Sequence, residues 1–192
     1  MKQVGVLSLQ GDFAAHGESL RRAGAAPVYV RLAEQLLGLD GLVIPGGEST
    51  TMLKLLRYDG LMEPLAEFAR RKPVFGTCAG AILMARQVTA PEQESLGLMD
   101  MAVERNGYGR QVDSRVTSIE PSADFERRTG PGPMEAVFIR APIIRRVGGA
   151  AQVLARYGGD PVLVEQGRHL AATFHPELTA DVRVHKLFLE KL

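Results

Sequence analysis

One cysteine among 192 residues leaves no partner for an intrachain disulfide, so a disulfide-stapled secreted scaffold is excluded. Neither charge is in excess: 23 Lys and Arg stand against 22 Asp and Glu, a formal net charge of +1. That balance argues against a nucleic-acid groove or an anionic membrane face and leaves small molecules or proteins as the expected partners. No apolar run approaches the ~18 residues that span a bilayer. Met1-Lys2-Gln3-Val4-Gly5-Val6 lacks the apolar stretch and small-residue cleavage site of a secretory signal. A soluble protein of the reducing cytoplasm is expected. With no internal repeat, low-complexity tract or linker-like stretch, residues 1–192 read as a single domain with one sizeable core. Only four histidines occur, in unrelated segments, so no metal-ligand cluster is expected.

What is present centres on Lys72-Pro73-Val74-Phe75-Gly76-Thr77-Cys78-Ala79-Gly80-Ala81-Ile82-Leu83, where a short apolar run gives way to a helical pattern at the sole cysteine. The G-x-C-x-G frame is that of a nucleophile elbow: flanking glycines let the chain turn sharply from strand to helix and lift the thiol out of the sheet. A thiol at a helix N-terminus should have its pKa drawn below the usual ~8.5. The competing reading is a buried structural cysteine.

Along the chain, Val4–Leu9, Pro27–Val30, Gly41–Ile44 and Val74-Phe75 read as strands. Between them Phe13–Ala23, ending at Gly24, and Leu32–Leu37, Thr50–Leu56 and Met62–Arg71 read as helices. Such alternation builds a mostly parallel sheet flanked by helices. The second half changes character. Val112–Ile119, Ala136–Ile139, Gln152–Ala155, Val162–Glu165 and Leu170–Phe174 read as strands, several of them antiparallel, with Asn106-Gly107 and Gly158-Gly159 as the strongest hairpin turns. Pro121–Pro133 reads as a loop without chemical importance, and Ala180–Leu192 as a closing amphipathic helix with Val184, Leu187 and Phe188 on one face.

A cysteine nucleophile needs a base and an orienting group, which usually come from distant segments. His175-Pro176-Glu177 follows a strand, at the edge where open α/β sheets place their sites. His175 could hold Cys78 as a thiolate–imidazolium pair and protonate a leaving amine, with Glu177 fixing its tautomer; alone, the motif reads as a surface turn. His16, His169 and His185 lie in helix or strand contexts and read as surface or packing residues. The loop Pro45-Gly46-Gly47-Glu48-Ser49-Thr50-Thr51 lacks the Walker lysine and the G-x-G-x-x-G spacing, so an oxyanion hole explains it better than a phosphate cradle. It also reads as a helix cap, with Ser49 or Thr50 at the N-cap.

The segments Leu9-Gln10-Gly11, Pro45 to Thr51, Phe75 to Gly80, Glu104-Arg105-Asn106-Gly107-Tyr108-Gly109-Arg110-Gln111, Val137-Phe138-Ile139-Arg140-Ala141-Pro142 and Phe174 to Thr179 together resemble the class I (triad-type) glutamine amidotransferases. Within them, the P-G-G-E-S-T-T, R-N-x-x-G-R-Q and F-I-R-A-P segments resemble the glutaminase subunits of pyridoxal 5'-phosphate synthases. The resemblance spans nearly the whole chain and implies the three-layer amidotransferase fold, with a mostly parallel central sheet and antiparallel strands in the second half. It further implies hydrolysis of L-glutamine to glutamate and ammonia, with ammonia passed to a separate synthase subunit. No bound cofactor is implied, since pyridoxal phosphate would be the product of the complex. By the same resemblance Cys78 is the nucleophile that forms a γ-glutamyl thioester, His175 the general acid/base and Glu177 its orienter. Gly46, Gly47, Glu48, Arg105, Ile139 and Arg140 would hold glutamine, and the backbone N–H groups of Ala79 and the Gly46-Gly47 region, Gly47 in particular, would form the oxyanion hole. An arginine suits the substrate carboxylate and a glutamate its ammonium, which points to Arg105 and Glu48. Glutaminase activity would depend on docking to the synthase, with the Gly46-Gly47 loop reorganising. Glutaminase subunits for histidine or purine synthesis, a non-catalytic α/β scaffold, and relatives among the cysteine-elbow chaperones and proteases are the alternative readings.

Overall fold

The computed structural model describes residues 1–106 and 114–192. The first half alternates as expected: β1 (Gln3–Leu7), α1 (Phe13–Ala23), β2 (Ala26–Val30), β3 (Gly41–Ile44), α2 (Ser49–Tyr58), α3 (Met62–Arg71), β4 (Val74–Thr77) and α4 (Ala79–Met84). There follow β5 (Ala85–Thr89), β6 (Met99–Glu104), β7 (Arg115–Ile119), α5 (Ala123–Thr129), β8 (Met134–Phe138), β9 (Ile143–Val147), β10 (Gln152–Tyr157), β11 (Asp160–Gln166), β12 (His169–Ala172) and α6 (Arg183–Leu189). Seven strands form the central sheet in the order β10-β11-β12-β4-β3-β1-β2. β2, β1, β3, β4 and β12 pair parallel, while β11 pairs antiparallel with both β12 and β10. The expected α/β class and the antiparallel character of the second half both hold.

Each face of this sheet carries its own core, because successive strand residues point to opposite sides. Leu42, Ile44, Val74 and Ala171 pack with Met52, Leu56, Leu65 and Leu83 on one side. Val4, Val6, Val43, Phe75 and Leu170 pack with Leu20, Phe125, Leu187 and Phe188 on the other. Helices on both faces complete three layers.

Several expectations need correction. Leu32–Leu37 is only a short 3-10 turn over Ala33–Leu36, too brief to bury an amphipathic stripe. The stretch Pro121–Pro133 contains α5, capped by the Ser122 side chain accepting from the Phe125 N–H at 3.3 Å and anchored by the fully buried Phe125; the Pro and Gly content around it obscured a helix of two turns. The closing helix is confined to Arg183–Leu189, with Val184, Leu187 and Phe188 buried as read. Strands β5, β6 and β9 form a separate three-stranded sheet that the strand patterning did not reveal, since β5 follows α4 without a turn signal. Gly158-Gly159 does join β10 to β11, with φ of 57° and 91°, the positive values a tight hairpin demands. Gly107 of the expected Asn106-Gly107 turn, the Gly107 to Gln111 part of its motif and the first two residues of the expected Val112–Ile119 strand lie outside the described residues.

Candidate active site

The order β3-β4-β12 sets three neighbouring parallel strands side by side, and each delivers one piece of the site at its C-terminal end. β4 leads into Cys78, β12 into His175 and Glu177, and β3 into Gly46, Gly47 and Glu48. The registers Ala172↔Thr77 and Ile44↔Gly76 bring the three ends level. This is the edge at which open α/β sheets hold their ligands.

Cys78 adopts φ 48°, ψ −106°, a conformation that costs a non-glycine residue roughly 1 to 3 kcal/mol. It is held there by its own N–H donating to Ala172 O at 2.9 Å and by Ile82 N–H donating to its carbonyl at 3.2 Å. The elbow needs glycine for close approach: a Cβ on Gly80 would stand 2.0 Å from Ile44 O. Burial of Phe75, Leu83 and Met84 at no more than 1 % exposure, worth roughly 1.5 to 3 kcal/mol for each large side chain, outweighs the strain. The sulfur lies 3.9 Å from Ile139 O.

His175 and Glu177 are 5 % and 6 % exposed, and His175 Nδ1 lies 2.7 Å from Glu177 Oε1. Burial opposes a charged His175 ring, but hydrogen bonding and charge from Cys78 and Glu177 together outweigh it and raise its pKa from 6.5 to about 10. His175 Nε2 is buried and has no aligned hydrogen-bond partner among the described residues. Catalytic contacts of this kind are commonly loose before substrate arrives. Gly46 gives the ring its room, since a Cβ there would stand 2.5 Å from His175 Cε1 and 3.4 Å from Cys78 Cβ.

A cavity of about 290 Å³ opens over these groups, lined by Cys78, His175, Gly46, Gly47, Glu48, Arg105, Ile139 and Arg140, together with Gly11, Asp12, Ser49, Ile82 and Asn106. Every glutamine-holding residue expected from the resemblance therefore faces one space. Arg105 donates to Glu48 Oε1 at 3.3 Å and Thr50 Oγ1 at 2.8 Å, and its Nε is buried without a partner among the described residues. Arg140 sits at φ 45°, a left-handed conformation that sets its backbone apart from β8. The cap of α2 is Glu48 itself, not Ser49 or Thr50: its carboxylate accepts from Thr50 N–H at 3.0 Å and Thr51 N–H at 2.7 Å. Slight burial opposes its ionisation, but these bonds hold its pKa near about 2. Ala79 opens α4 directly after Cys78.

Two contacts escaped the sequence reading. Gln10 Nε2 donates to Glu48 O at 2.6 Å, pinning the glycine loop from the end of β1; its position just past an apolar strand, on the same sheet edge, was the available signal. His16 and His185 are fully buried and meet at 3.1 Å, and His16 Nε2 reaches Glu177 Oε2 at 3.3 Å. No sequence signal marks that contact, because it exists only once α1 and α6 have packed. His169 is part-buried, with Nδ1 accepting from Val74 N–H at 3.2 Å.

The buried rings make the protein acid-sensitive. Desolvation and then the Arg22 charge depress the His185 pKa to about 3, with Asp181 opposing. Unfolded His185, titrating near 6.5, takes up a proton that the folded ring refuses, so this share of stability is lost as the pH falls from about 6.5 toward 3. The groups around the ring are His16 and Arg22 from α1, Asp181 ahead of α6 and the edge of Phe75. Urea unfolding at pH 7 and pH 4.5 is expected to show a smaller acid loss for His185→Leu than for the native chain. Equal losses would assign the acid sensitivity elsewhere.

Among the described residues no group of His, Cys, Asp and Glu could hold a metal ion, and no helix is long and apolar enough to cross a membrane.

Residues 6–192 match the SNO glutamine amidotransferase family. The chain is 69% identical over 192 residues to pyridoxal 5'-phosphate synthase subunit PdxT of Solibacter usitatus (strain Ellin6076), covering 100% of both. It is 55% identical to the subunit of the same name from Koribacter versatilis (strain Ellin345), over 98% of this chain and 94% of that one. A crystal structure described as a glutamine amidotransferase superposes with a TM-score of 0.87 at 48% identity, covering 98% of this chain and 97% of its own. With a match across nearly its whole length and relatives this similar end to end, the chain belongs to the SNO glutamine amidotransferase family.

Proposed function

We propose that Cys78, His175 and Glu177 are the catalytic residues of a glutaminase that releases ammonia from L-glutamine for the assembly of pyridoxal 5'-phosphate. The observation that carries this reading is the convergence of the cysteine elbow, the 2.7 Å His175–Glu177 contact and the glycine loop on one cavity. Full-length relatives named as pyridoxal 5'-phosphate synthase subunits favour this pathway over histidine or purine synthesis, and an intact triad disfavours a scaffold.

In the reaction, the Cys78 sulfur attacks the side-chain amide carbon of glutamine, and the oxygen takes the developing negative charge. In this reading the Ala79 N–H at the start of α4 and the Gly46-Gly47 backbone, Gly47 in particular, donate to it. His175 passes its proton to the leaving nitrogen, and ammonia departs to leave a γ-glutamyl thioester. Water then attacks the thioester, deprotonated by His175, and glutamate leaves with the Cys78 thiol restored. Glu177 stabilises the imidazolium in both steps. Arg105, whose Nε has no partner among the described residues, supplies a cation for the substrate α-carboxylate, while Glu48 offers its carboxylate to the α-ammonium. Ile139 and Arg140 line the same cavity. A free thiol persists in a reducing compartment, and the reading puts the enzyme in the cytoplasm.

The ammonia acceptor in this reading is the synthase subunit, and the Gly46-Gly47 loop reorganises on docking. Gly47 has the freedom for a peptide flip, with φ 134°, and Gln10 anchors the adjoining Glu48 carbonyl. Glutamate release is expected to rise at least tenfold when the synthase subunit from the same organism is added. Equal turnover with and without it would remove the docking switch, and no release in either case would remove the glutaminase reading.

A further inference from the structure

Outside the cavity, a chain of buried imidazoles ends on the triad carboxylate. Glu177 Oε1 is taken by His175 at 2.7 Å, while Oε2 is buried and has no aligned hydrogen-bond partner among the described residues. The group nearest to Oε2 in that chain is His16 Nε2, at 3.3 Å, which also lies 3.0 Å from Thr77 Oγ1. On its other side His16 Nδ1 meets His185 Nε2 at 3.1 Å, and the ring stands edge-on to Phe75 with an interplanar angle of 90°. His16 thus sits between α1, β4, α6 and the Pro176–Leu178 turn with no water-exposed edge.

The hydrogen-bond chain assigns the tautomers. If His16 carried its proton on Nδ1 and gave it to His185, a lone pair of His16 would face the Glu177 carboxylate. His185 Nδ1, which has no partner among the described residues, would then be a buried donor left unmatched. With the proton on Nε2, His16 presents an N–H to Oε2 and Thr77, and His185 Nε2–H donates to His16 Nδ1. The unmatched atom becomes an acceptor, which folded proteins tolerate better than an orphaned N–H. Burial first, then the neighbouring His185 and His175, push the His16 pKa well below 6.5, so the ring donates without bringing a second positive charge to Glu177.

We propose that His16, as its neutral Nε2–H tautomer set by His185, is a positioning residue that holds Glu177 Oε2 so that Oε1 stays on His175. This rests on the glutaminase reading for its kinetic consequence, but not for its geometry. Outer partners that orient a histidine or carboxylate at metal sites are worth roughly 10- to 100-fold in function, and a similar size is expected here. The groups facing His16 that share in any pH response are His185, His175 and Glu177, with Arg22 and Asp181 acting on His185.

The test has two arms. Long-range proton–nitrogen NMR of the native chain is expected to show His16 protonated on Nε2, and a proton on Nδ1 would overturn the proposal. In the complex with the synthase subunit, His16→Leu is expected to lower kcat about 10- to 100-fold with KM little changed. It should also lower the His175 titration midpoint, while His16→Gln, which restores an N–H, recovers most of both. A folded His16→Leu variant with native kcat and an unmoved His175 midpoint would reduce His16 to packing. If that variant does not fold, the native tautomer decides. A native complex that releases no glutamate but shows the Nε2–H tautomer would end the glutaminase reading and leave the positioning geometry standing.

Discussion

Cys78→Ala is expected to reduce glutamate release by the docked enzyme by about six orders of magnitude, while synthesis fed with ammonium salts continues at the native rate. The size follows from the site's construction. His175 and Glu177 have no other nucleophile to serve, since Cys78 is the sole cysteine and no serine or threonine stands at the elbow's apex. Alanine suffers the same positive φ of 48° and removes one buried sulfur, so the fold should survive. Glutamate release and ammonium-fed product formation, measured on the same preparation, check it. Residual glutamate release above about one per cent of native, far more than a knocked-out nucleophile leaves, would mean that another group performs the attack. Loss of the ammonium-fed reaction would mean that the variant damages the complex rather than the chemistry.

The second large effect is Glu177→Gln, expected to lower kcat about 10⁴-fold, the size seen when a triad carboxylate becomes an amide and the imidazole is held in the wrong tautomer. The same substitution has a signature in pH. The folded His175 pKa of about 10 exceeds its unfolded value near 6.5, so the folded state binds more protons between those values. The ring's contribution to stability is therefore complete below about 6.5 and is lost as the pH rises through about 10. With the carboxylate gone, the folded pKa falls, so the alkaline loss still starts near 6.5 but ends at a lower pH and is smaller. Urea unfolding between pH 7 and pH 10.5, together with kcat, checks both statements. A kcat within tenfold of native, or an unaltered alkaline limb, would show that Glu177 does not hold the imidazolium.

How far the sequence could be read depended on whether each signal was local. The first-half strands and helices were legible because apolar periodicity and Gly punctuation sit within a dozen residues. The elbow was legible because its geometry requires glycine on both sides of Cys78, where a Cβ on Gly80 would strike Ile44 O. By contrast, Leu32–Leu37 carried a helical pattern too short to outcompete the turn into β3, and the α5 helix hid among prolines and glycines although Ser122 caps its start and Gly130 its end. Glu48, expected as a ligand for glutamine, is also the cap of α2; one carboxylate both caps the helix and lines the cavity.

The sequence by itself determined the chemistry available: one thiol at a strand-to-helix turn, an H-P-E motif at the end of a strand, and two arginines and a glycine loop in segments shared with a family. Only the tertiary structure decided which of these meet, because parallel strands distant in the chain become neighbours through crossovers and not through local pattern. Cys78 and His175 are 97 positions apart, yet the β4-β12 pairing sets their strand ends level. His16 and His185 are 169 apart, and their meeting behind Glu177 depends on α1 and α6 packing together on one face of the sheet. Burial then set their charge: in water all of these imidazoles would titrate near 6.5, and inside the fold the carboxylate and thiol raise one of them while desolvation lowers the others.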